Sequence, residues 1–378
     1  MENNKPDYSL LSMEEISATP HNGRYVVSTF SGCGGSCLGF KMAGFKVLWA
    51  NEFIRAARDT YRANYPDVIL DGSDIRNLTG QDILRAIGRE QGDIDVVEGS
   101  PPCAEFSMAG KRRGGIDTKE MKGWGKLKKY SDTYQQVDDL FYEFARILKD
   151  LQPKIFVAEN VKGLTLGHAK ELLGSPQLGL FGQHEDTIFH TLTQCGYNVR
   201  YKVLNAYDYG VPQHRERLFF IGTRKDLPIS PVFPHPVAYR YNLKDAIGDM
   251  DFFALDDFDL TPAQLKGKTL EIVQQLLPGQ SGSDIMGSGS YFSLRRLEWD
   301  KPAGTIQQSE AKMASTNQIH PDEDRRLTIA ELKRVASFPD DFILTGTYEQ
   351  KWERIGRAVP PLLMYHIAKV VKELLDKC

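Results

Sequence analysis

A cysteine, a carboxylate and two arginines stand where a folded chain could bring them together. Cys103 lies in Gly99-Ser100-Pro101-Pro102-Cys103-Ala104-Glu105-Phe106-Ser107, just after the apolar run Ile94-Asp95-Val96-Val97 that ends at Glu98. A strand followed by a turn exposes Cys103 at a strand's carboxyl end, where open α/β sheets build their sites. A free cysteine is otherwise a small buried hydrophobe, and this stretch alone does not separate the two readings. Glu159, in Val157-Ala158-Glu159-Asn160-Val161, closes a second apolar run. Arg215 and Arg217, in Pro212-Gln213-His214-Arg215-Glu216-Arg217, precede a third, Leu218–Gly222. Arginines near a cysteine favour its thiolate, the nucleophilic form. Taken alone, Glu159 and Arg217 are equally well explained as a structural ion pair.

A second group of residues is suited to holding a ligand. Phe30-Ser31-Gly32-Cys33-Gly34-Gly35 follows the strand pattern of residues 24–30, and glycine lets a backbone approach a ligand closely. Gly32, Gly34 and Gly35 fit only part of the dinucleotide fingerprint, because Cys37 occupies its final position. Glu52 ends the second strand pattern, where an acid would bind ribose hydroxyls. Asp74 follows the third. Each alone is an ordinary helix cap or surface charge. Together, at successive strand ends, they point to an adenosine-type ligand that need not carry a pyrophosphate.

The elements that must position these residues are legible as alternating strands and helices. Strands are expected at 24–30, 47–50, 68–70, 94–97, 154–158 and 218–222. Helices are expected near 53–65, 79–88 and 133–151. This alternation implies an α/β fold, a doubly wound and mostly parallel sheet with right-handed crossovers. The pattern weakens after Arg224: prolines 228, 231, 234 and 236 suggest a linker, and 251–300 is irregular. Helical patterning returns at 324–338 and in a closing helix, 367–375. The expected organisation is a catalytic and cofactor-binding domain of residues 1–231 plus 336–378, interrupted by a smaller recognition domain, 232–335.

The chain's 378 residues suffice for one large domain and a smaller one, and 41% hydrophobic with 26% charged residues is ordinary for a folded protein. No run approaches the roughly 18 apolar residues that span a bilayer, and the N-terminus lacks a signal-peptide pattern. Five irregularly spaced cysteines make neither a disulfide framework nor a zinc site. The expectation is a reduced, cytoplasmic protein with no membrane partner and no metal. A net charge of −3 gives no global signal for nucleic acid. Locally, Lys111, Arg112, Arg113, Lys119, Lys122, Lys126, Lys128 and Lys129 crowd a glycine-rich stretch directly after the cysteine segment. Such a stretch is commonly a solvated loop; here it could also clamp phosphates.

Taken in order, these motifs resemble the DNA cytosine-5 methyltransferases from Tyr25 to about Val371. Phe30–Gly35 resembles the family's first cofactor motif, Pro102–Ser107 its Pro-Cys motif, Glu159-Asn160-Val161 its Glu-Asn-Val motif and Gln213–Arg217 its Gln-x-Arg-x-Arg motif. Arg326-Leu327-Thr328 through Phe338-Pro339 resembles the motif that closes the recognition region. The resemblance implies a flipped cytosine attacked at carbon 6 by Cys103, with Glu159 on ring nitrogen 3 and the amine. It implies Arg217 on the base carbonyl and Arg215 positioning Cys103 or the backbone. S-adenosylmethionine would be held by Phe30, Ser31, Gly32, Cys33, Gly34, Gly35, Glu52, Phe53, Asp74, Ile75, Ser100, Pro102, Leu140, Arg357, Ala358 and Val359. Double-stranded DNA would be held by Ser107, Lys111, Arg112 and Arg113 and read by Arg295 and Arg296, arginine being the commonest guanine reader. A monomer is expected, with a cognate restriction endonuclease as the candidate partner.

Two positions depart from the family pattern. Ala104 stands where glutamine is usual. Ile355-Gly356-Arg357-Ala358-Val359 stands where Gly-Asn-Ser or Gly-Asn-Ala followed by Val is usual, with the asparagine beside the cofactor's methionine part. Two unit charges about 4–5 Å apart repel by roughly 3–4 kcal/mol at an effective dielectric of 20, so an arginine near a sulfonium needs an explanation. Either Arg357 faces solvent, the cofactor's carboxylate or a nearby acid, or it pairs with an extra carboxylate in carboxy-S-adenosylmethionine, yielding 5-carboxymethylcytosine. Transfer-RNA methyltransferases share the fold, but their Cys-Phe-Thr element is absent from 232–335.

Overall fold

The computed structural model describes residues 5–102, 127–130, 133–136, 140–165, 187–250, 257–287, 291–309, 311 and 316–378. Its centre is a seven-stranded sheet. The first strands are β1 (Tyr25–Thr29), β2 (Lys46–Asn51), β3 (Ile69–Asp71) and β4 (Val96–Gly99). A separate antiparallel pair follows, β5 (Leu127–Tyr130) with β6 (Thr133–Gln136). The sheet then takes in β7 (Ile155–Val161), β8 (Tyr197–Asn205) and β9 (Glu216–Arg224). Its order is β3-β2-β1-β4-β7-β9-β8. The first five strands in that order are parallel, and β9 runs antiparallel to both its neighbours.

Strand order reverses between β1 and β4, the topological switch point at which such sheets open a crevice beyond their carboxyl ends. That edge carries Phe30, Glu52, Ser100 and the end of β7. Because β9 is antiparallel, it is its amino end that lies there, with Arg217 opposite Val161. β1 and β4 are buried along almost their whole length and β7 through Asn160, as expected of strands covered on both faces.

The chain follows the sequence expectation, with four differences. The helix expected near 133–151 begins only at Leu140; Thr133 and Tyr134, β-branched and aromatic, pair instead with residues 130 and 129. β8 has no sequence precedent in the pattern above, because its burial alternates and its exposed Asn198, Arg200 and Lys202 dilute the apolar signal. The helix expected at 324–338 shortens to Ile329–Val335, started by a Thr328/Glu331 capping box. The closing helix, Pro361–Leu375, starts six residues earlier than expected, with proline at its first turn. Among the described residues, no helix is long and apolar enough to cross a membrane.

Two large apolar clusters flank the sheet. One contains Phe40, Phe219, Trp352 and Leu363, and it extends without a break into Leu243, Ala246, Leu297, Ala303 and Ile306. The other contains Trp49, Ile75, Leu140, Phe144 and Phe156. A third, small cluster of Leu265, Ile272, Val273, Leu276, Leu294 and Ile319 is confined to residues 265–319.

Candidate active site

The turn after β1 is built to keep its backbone exposed to the crevice. Phe30, Gly32 and Gly34 all have positive φ (53°, 57° and 92°). At Gly34 a Cβ would lie 2.3 Å from the Tyr65 ring, whose hydroxyl donates to the Gly34 carbonyl at 2.7 Å. Gly35 begins the helix Gly35–Met42, and a Cβ there would meet the Val359 carbonyl at 2.4 Å. The last motif therefore closes directly onto the first, and only glycine allows the contact. A Cβ on Gly32 would meet nothing within 4 Å, so this part of the turn faces open space.

Glu52, just beyond β2, is buried under this turn. One carboxylate oxygen accepts from the Gly32 N–H at 2.8 Å and the other from the Ile54 N–H at 2.6 Å. Burial pushes its pKa up; the Ile54 and Gly32 N–H groups and the positive charges of Arg354 and Arg357 pull it back. Asp74 caps the short turn Ile75–Asn77 through the Arg76 N–H and pairs with the Arg76 guanidinium at 2.8 Å. Ile75 and Leu140 pack behind in the second apolar cluster, with Phe30 and Phe53 half-buried at its surface. Cys33 is buried with its thiol toward the Arg354 carbonyl at 3.7 Å, and burial raises its pKa to about 11. Only the backbone of Cys33 can face a ligand.

Glu159 and Arg217 meet at the same edge. Their side chains form an ion pair, Nε to Oε1, at 3.0 Å, with 16% and 10% side-chain exposure. The neighbouring Asn160 donates to the Pro101 carbonyl at 3.2 Å, which fixes the chain leaving β4 against β7. Pro101 is buried, and Ser100 and Pro102 are half-buried beside it. Cys103, Ala104, Ser107, Lys111, Arg112 and Arg113 lie outside the described residues.

Of the two roles expected for Arg215, positioning Cys103 or the backbone, its described contacts are those of the second. It is 1% exposed, and its guanidinium donates to the carbonyls of Ile306 (3.2 Å) and Gly356 (2.9 Å). Burial pushes its pKa well down, and Arg217 adds to this. Arg215 thus braces the β9 approach against the segment at 306 and the helix Tyr348–Arg357; its described contacts are with backbone carbonyls. Arg296 departs from expectation as a DNA reader. It is 5% exposed and donates to the carbonyls of Val273 (2.8 Å), His320 (3.1 Å), Pro321 (3.3 Å) and Glu323 (3.0 Å), and to Asp324. A guanidinium so engaged has no face left for a base edge. Arg295, next to it, is exposed.

Arg357 ends its helix with Nε donating to Gln308 at 2.6 Å and lying 3.6 Å from Glu353. The nearby acid anticipated in the sequence is therefore Glu353. Residues the sequence did not single out include Gln213, buried against Ile306, and Arg354, buried beside Glu353 at 2.9 Å. Asn160 and Gln213 stood inside the quoted motifs; Gln308 and Arg354 gave no signal, because nothing in their spacing sets them apart.

The sequence profile of the C-5 cytosine-specific DNA methylases matches residues 25–373. The chain belongs to this family. It is 34% identical, over 93% of its own length and 94% of the relative's, to the type II methyltransferase M.FnuDI of Fusobacterium nucleatum. It is 31% identical to M.NgoPII of Neisseria gonorrhoeae, over 97% and 100% of the two chains. Among solved structures it is similar to a DNA modification methyltransferase encoded within a prophage (E. coli), with a TM-score of 0.67, 23% identity, and coverage of 94% and 100%. The Entamoeba histolytica methyltransferase EhMeth gives 0.63, 12%, and 93% and 98%. These two likenesses show the shared fold. As a DNA (cytosine-5) methyltransferase, the enzyme belongs to a family that depends on S-adenosylmethionine.

Proposed function

We propose that this methylase is a type II modification enzyme that flips a cytosine out of double-stranded DNA and methylates its carbon 5. The observation that carries this reading is the Glu159–Arg217 pair at 3.0 Å, on adjoining strand ends one strand away from the segment leading into Cys103. Cys103 adds as a thiolate to carbon 6 of the extruded base, and the electron pair displaced toward carbon 5 makes that carbon nucleophilic. Glu159 accepts from the exocyclic amine and holds a proton at ring nitrogen 3, and Arg217 donates to the base carbonyl. Their ion pair keeps both groups oriented before the base arrives. After transfer, loss of the carbon 5 proton expels the Cys103 thiolate. Flipping costs a few kcal/mol, which the basic segment around Lys111, Arg112 and Arg113 and Ser107 helps to offset by holding phosphates.

The residues around the β1 turn fit the methyl donor. Glu52 keeps lone pairs on both oxygens beyond the two N–H groups it accepts, as a partner of two ribose hydroxyls must. Gly32 leaves the backbone bare where a ligand approaches. Phe53 offers a half-exposed ring for adenine, with Asp74 and Ile75 at its edge. When bound, S-adenosylmethionine supplies an electrophilic methyl group carried on a sulfonium. Residues 232–335 form the recognition region, with Arg295 as its base-reading candidate.

A second reading turns on Arg357, a cation two residues before Val359, whose carbonyl packs against Gly35 of the β1 turn. There the donor is carboxy-S-adenosylmethionine and the product 5-carboxymethylcytosine. Mass spectrometry of nucleosides from cells expressing wild type, Cys103→Ala and Arg357→Asn separates the readings. A methyl-sized gain lost in Cys103→Ala is the expected result. A carboxymethyl-sized gain reverting to methyl in Arg357→Asn would establish the second reading, and modification of RNA instead of DNA would overturn both.

A further inference from the structure

Glu98 is a carboxyl group that the chemistry above leaves idle. It sits on β4, opposite Ser28 of β1 and Val157 of β7, and is 2% exposed. Oε1 accepts from the Ser28 hydroxyl and lies 3.6 Å from the Cys37 thiol. The Ser28 hydroxyl is in turn 2.7 Å from that of Ser31, inside the Phe30–Gly35 turn. Two hydroxyls therefore connect the buried carboxyl to the turn proposed to hold the methyl donor.

Among the described residues, the titratable groups that act on Glu98 are neutral or anionic. Cys37 comes from the helix Gly35–Met42, Tyr61 and Tyr65 from the helix Arg55–Asn64 or its end, and Glu159 from β7. Tyr61 donates to the Cys37 sulfur at 3.2 Å, and burial pushes the Cys37 pKa up so that it stays a thiol. Among the described residues, no cation forms an ion pair with Glu98. Burial raises its own pKa to about 7, with Glu159 acting in the same direction.

A buried carboxylate without a cation is unfavourable, and a cation arriving nearby relieves it. S-adenosylmethionine carries a sulfonium; its demethylated product is a neutral thioether. We propose that Glu98 is a positioning residue of the donor site that holds a proton in the free protein, releases it to solvent when the sulfonium binds, and takes one back once methyl transfer has made the thioether. The donor is thereby preferred over the product most strongly above neutral pH. This inference rests on the donor assignment to the β1 turn made above.

Donor and product carry the same ribose and amino-acid groups, so the difference between them isolates the sulfonium. Calorimetric titrations of the full chain at pH 7 with each ligand, in two buffers of different ionisation enthalpy, count the protons released. The expected result is a larger release with S-adenosylmethionine than with S-adenosylhomocysteine, absent in Glu98→Gln. The donor-to-product affinity ratio should also fall about five- to tenfold between pH 8 and pH 5.5, as a shift of about one pKa unit requires. Equal proton counts for both ligands in wild type, or a difference that persists in Glu98→Gln, would overturn the role of Glu98. Should Glu98→Gln fail to fold, Ser28→Ala removes the hydroxyl that stabilises the carboxylate and should raise the pH midpoint of the ratio; an unmoved midpoint would overturn the role equally. Failure of either ligand to bind wild type would instead overturn the donor assignment, and this inference with it.

Discussion

The sheet and the segment between residues 264 and 326, proposed to belong to the recognition region, are held together by different physics. In the sheet, β1, β4 and β7 bury almost every residue, and Phe30, Glu52, Glu159 and Arg217 stand at or just beyond strand ends. Between residues 264 and 326 the described chain is tied by single bridges, Gln264 to Arg325, Ser281 to Arg295 and Arg296 to Ile319, over one small apolar cluster. Buried guanidinium groups add to the order there: Arg296 on four carbonyls, and Arg325 on Glu331 at 2.7 Å and Glu323 at 3.0 Å. Strands order the chain through a repeating pattern, whereas the segment between 264 and 326 relies more on individual donors and acceptors. The same residue type takes different roles in both regions. Arg217 pairs with Glu159 at the sheet edge, while Arg215 and Arg296 brace backbone carbonyls.

That contrast can be broken experimentally, and the sharpest cut is at the crevice. Glu159→Gln should lower kcat about 10²–10³-fold, as loss of a preorganised electrostatic partner does, while the urea midpoint falls far less than the rate; rates and denaturation measured on one preparation check this. Arg215→Ala and Arg296→Ala should act on stability instead. They strand two and four backbone carbonyls respectively, at about 1–3 kcal/mol for each group left unsatisfied, so losses of at least about 2 and 4 kcal/mol are expected in urea unfolding.

The next effect is on pH dependence. The folded-state pKa of Glu98, about 7, lies above its unfolded value. The stability it contributes is therefore complete below about pH 4 and is lost as pH rises through 7. Relative to wild type, Glu98→Gln should gain up to about 3 kcal/mol between pH 4 and pH 8, read from denaturation curves across that range. The smallest effect is at the exposed neighbour of Arg296. Arg295→Ala should change stability by no more than about 0.5 kcal/mol. If Arg295 reads a base, its loss relaxes sequence preference at one position; if it holds a phosphate, the salt slope of DNA binding falls by about one.

The sequence disclosed the half of the molecule in which local pattern and tertiary role coincide. The strand before Cys103, the strand ending in Glu159 and the turn at Phe30–Gly35 are legible because apolar runs, glycines and strand-end acids are local signals. The motifs around Cys103, Glu159 and Arg217 were legible through family resemblance, whereas residue type alone made Arg296 a base-reading candidate, a role its burial does not allow. Whether an arginine faces a ligand or a carbonyl depends on partners such as Ile306, Gly356 and His320, which lie 24–141 residues away in the chain. No local signal reports such a partner. Glu98 shows the converse: it looks like the polar end of a strand, and only its neighbours Ser28, Cys37 and Glu159 reveal an isolated buried acid.

The central claim is that Cys103 becomes covalently attached to carbon 6 of a cytosine held at this edge of the sheet. A duplex carrying 5-fluorocytosine at the target tests it directly, because fluorine at carbon 5 cannot leave as a proton and the attached enzyme is trapped after transfer. With S-adenosylmethionine, wild type should give a denaturant-stable protein–DNA species whose DNA-bearing peptide contains Cys103, and Cys103→Ala should give none. A stable adduct in Cys103→Ala, or turnover of ordinary DNA by wild type with no adduct on the fluorinated duplex, would contradict the account.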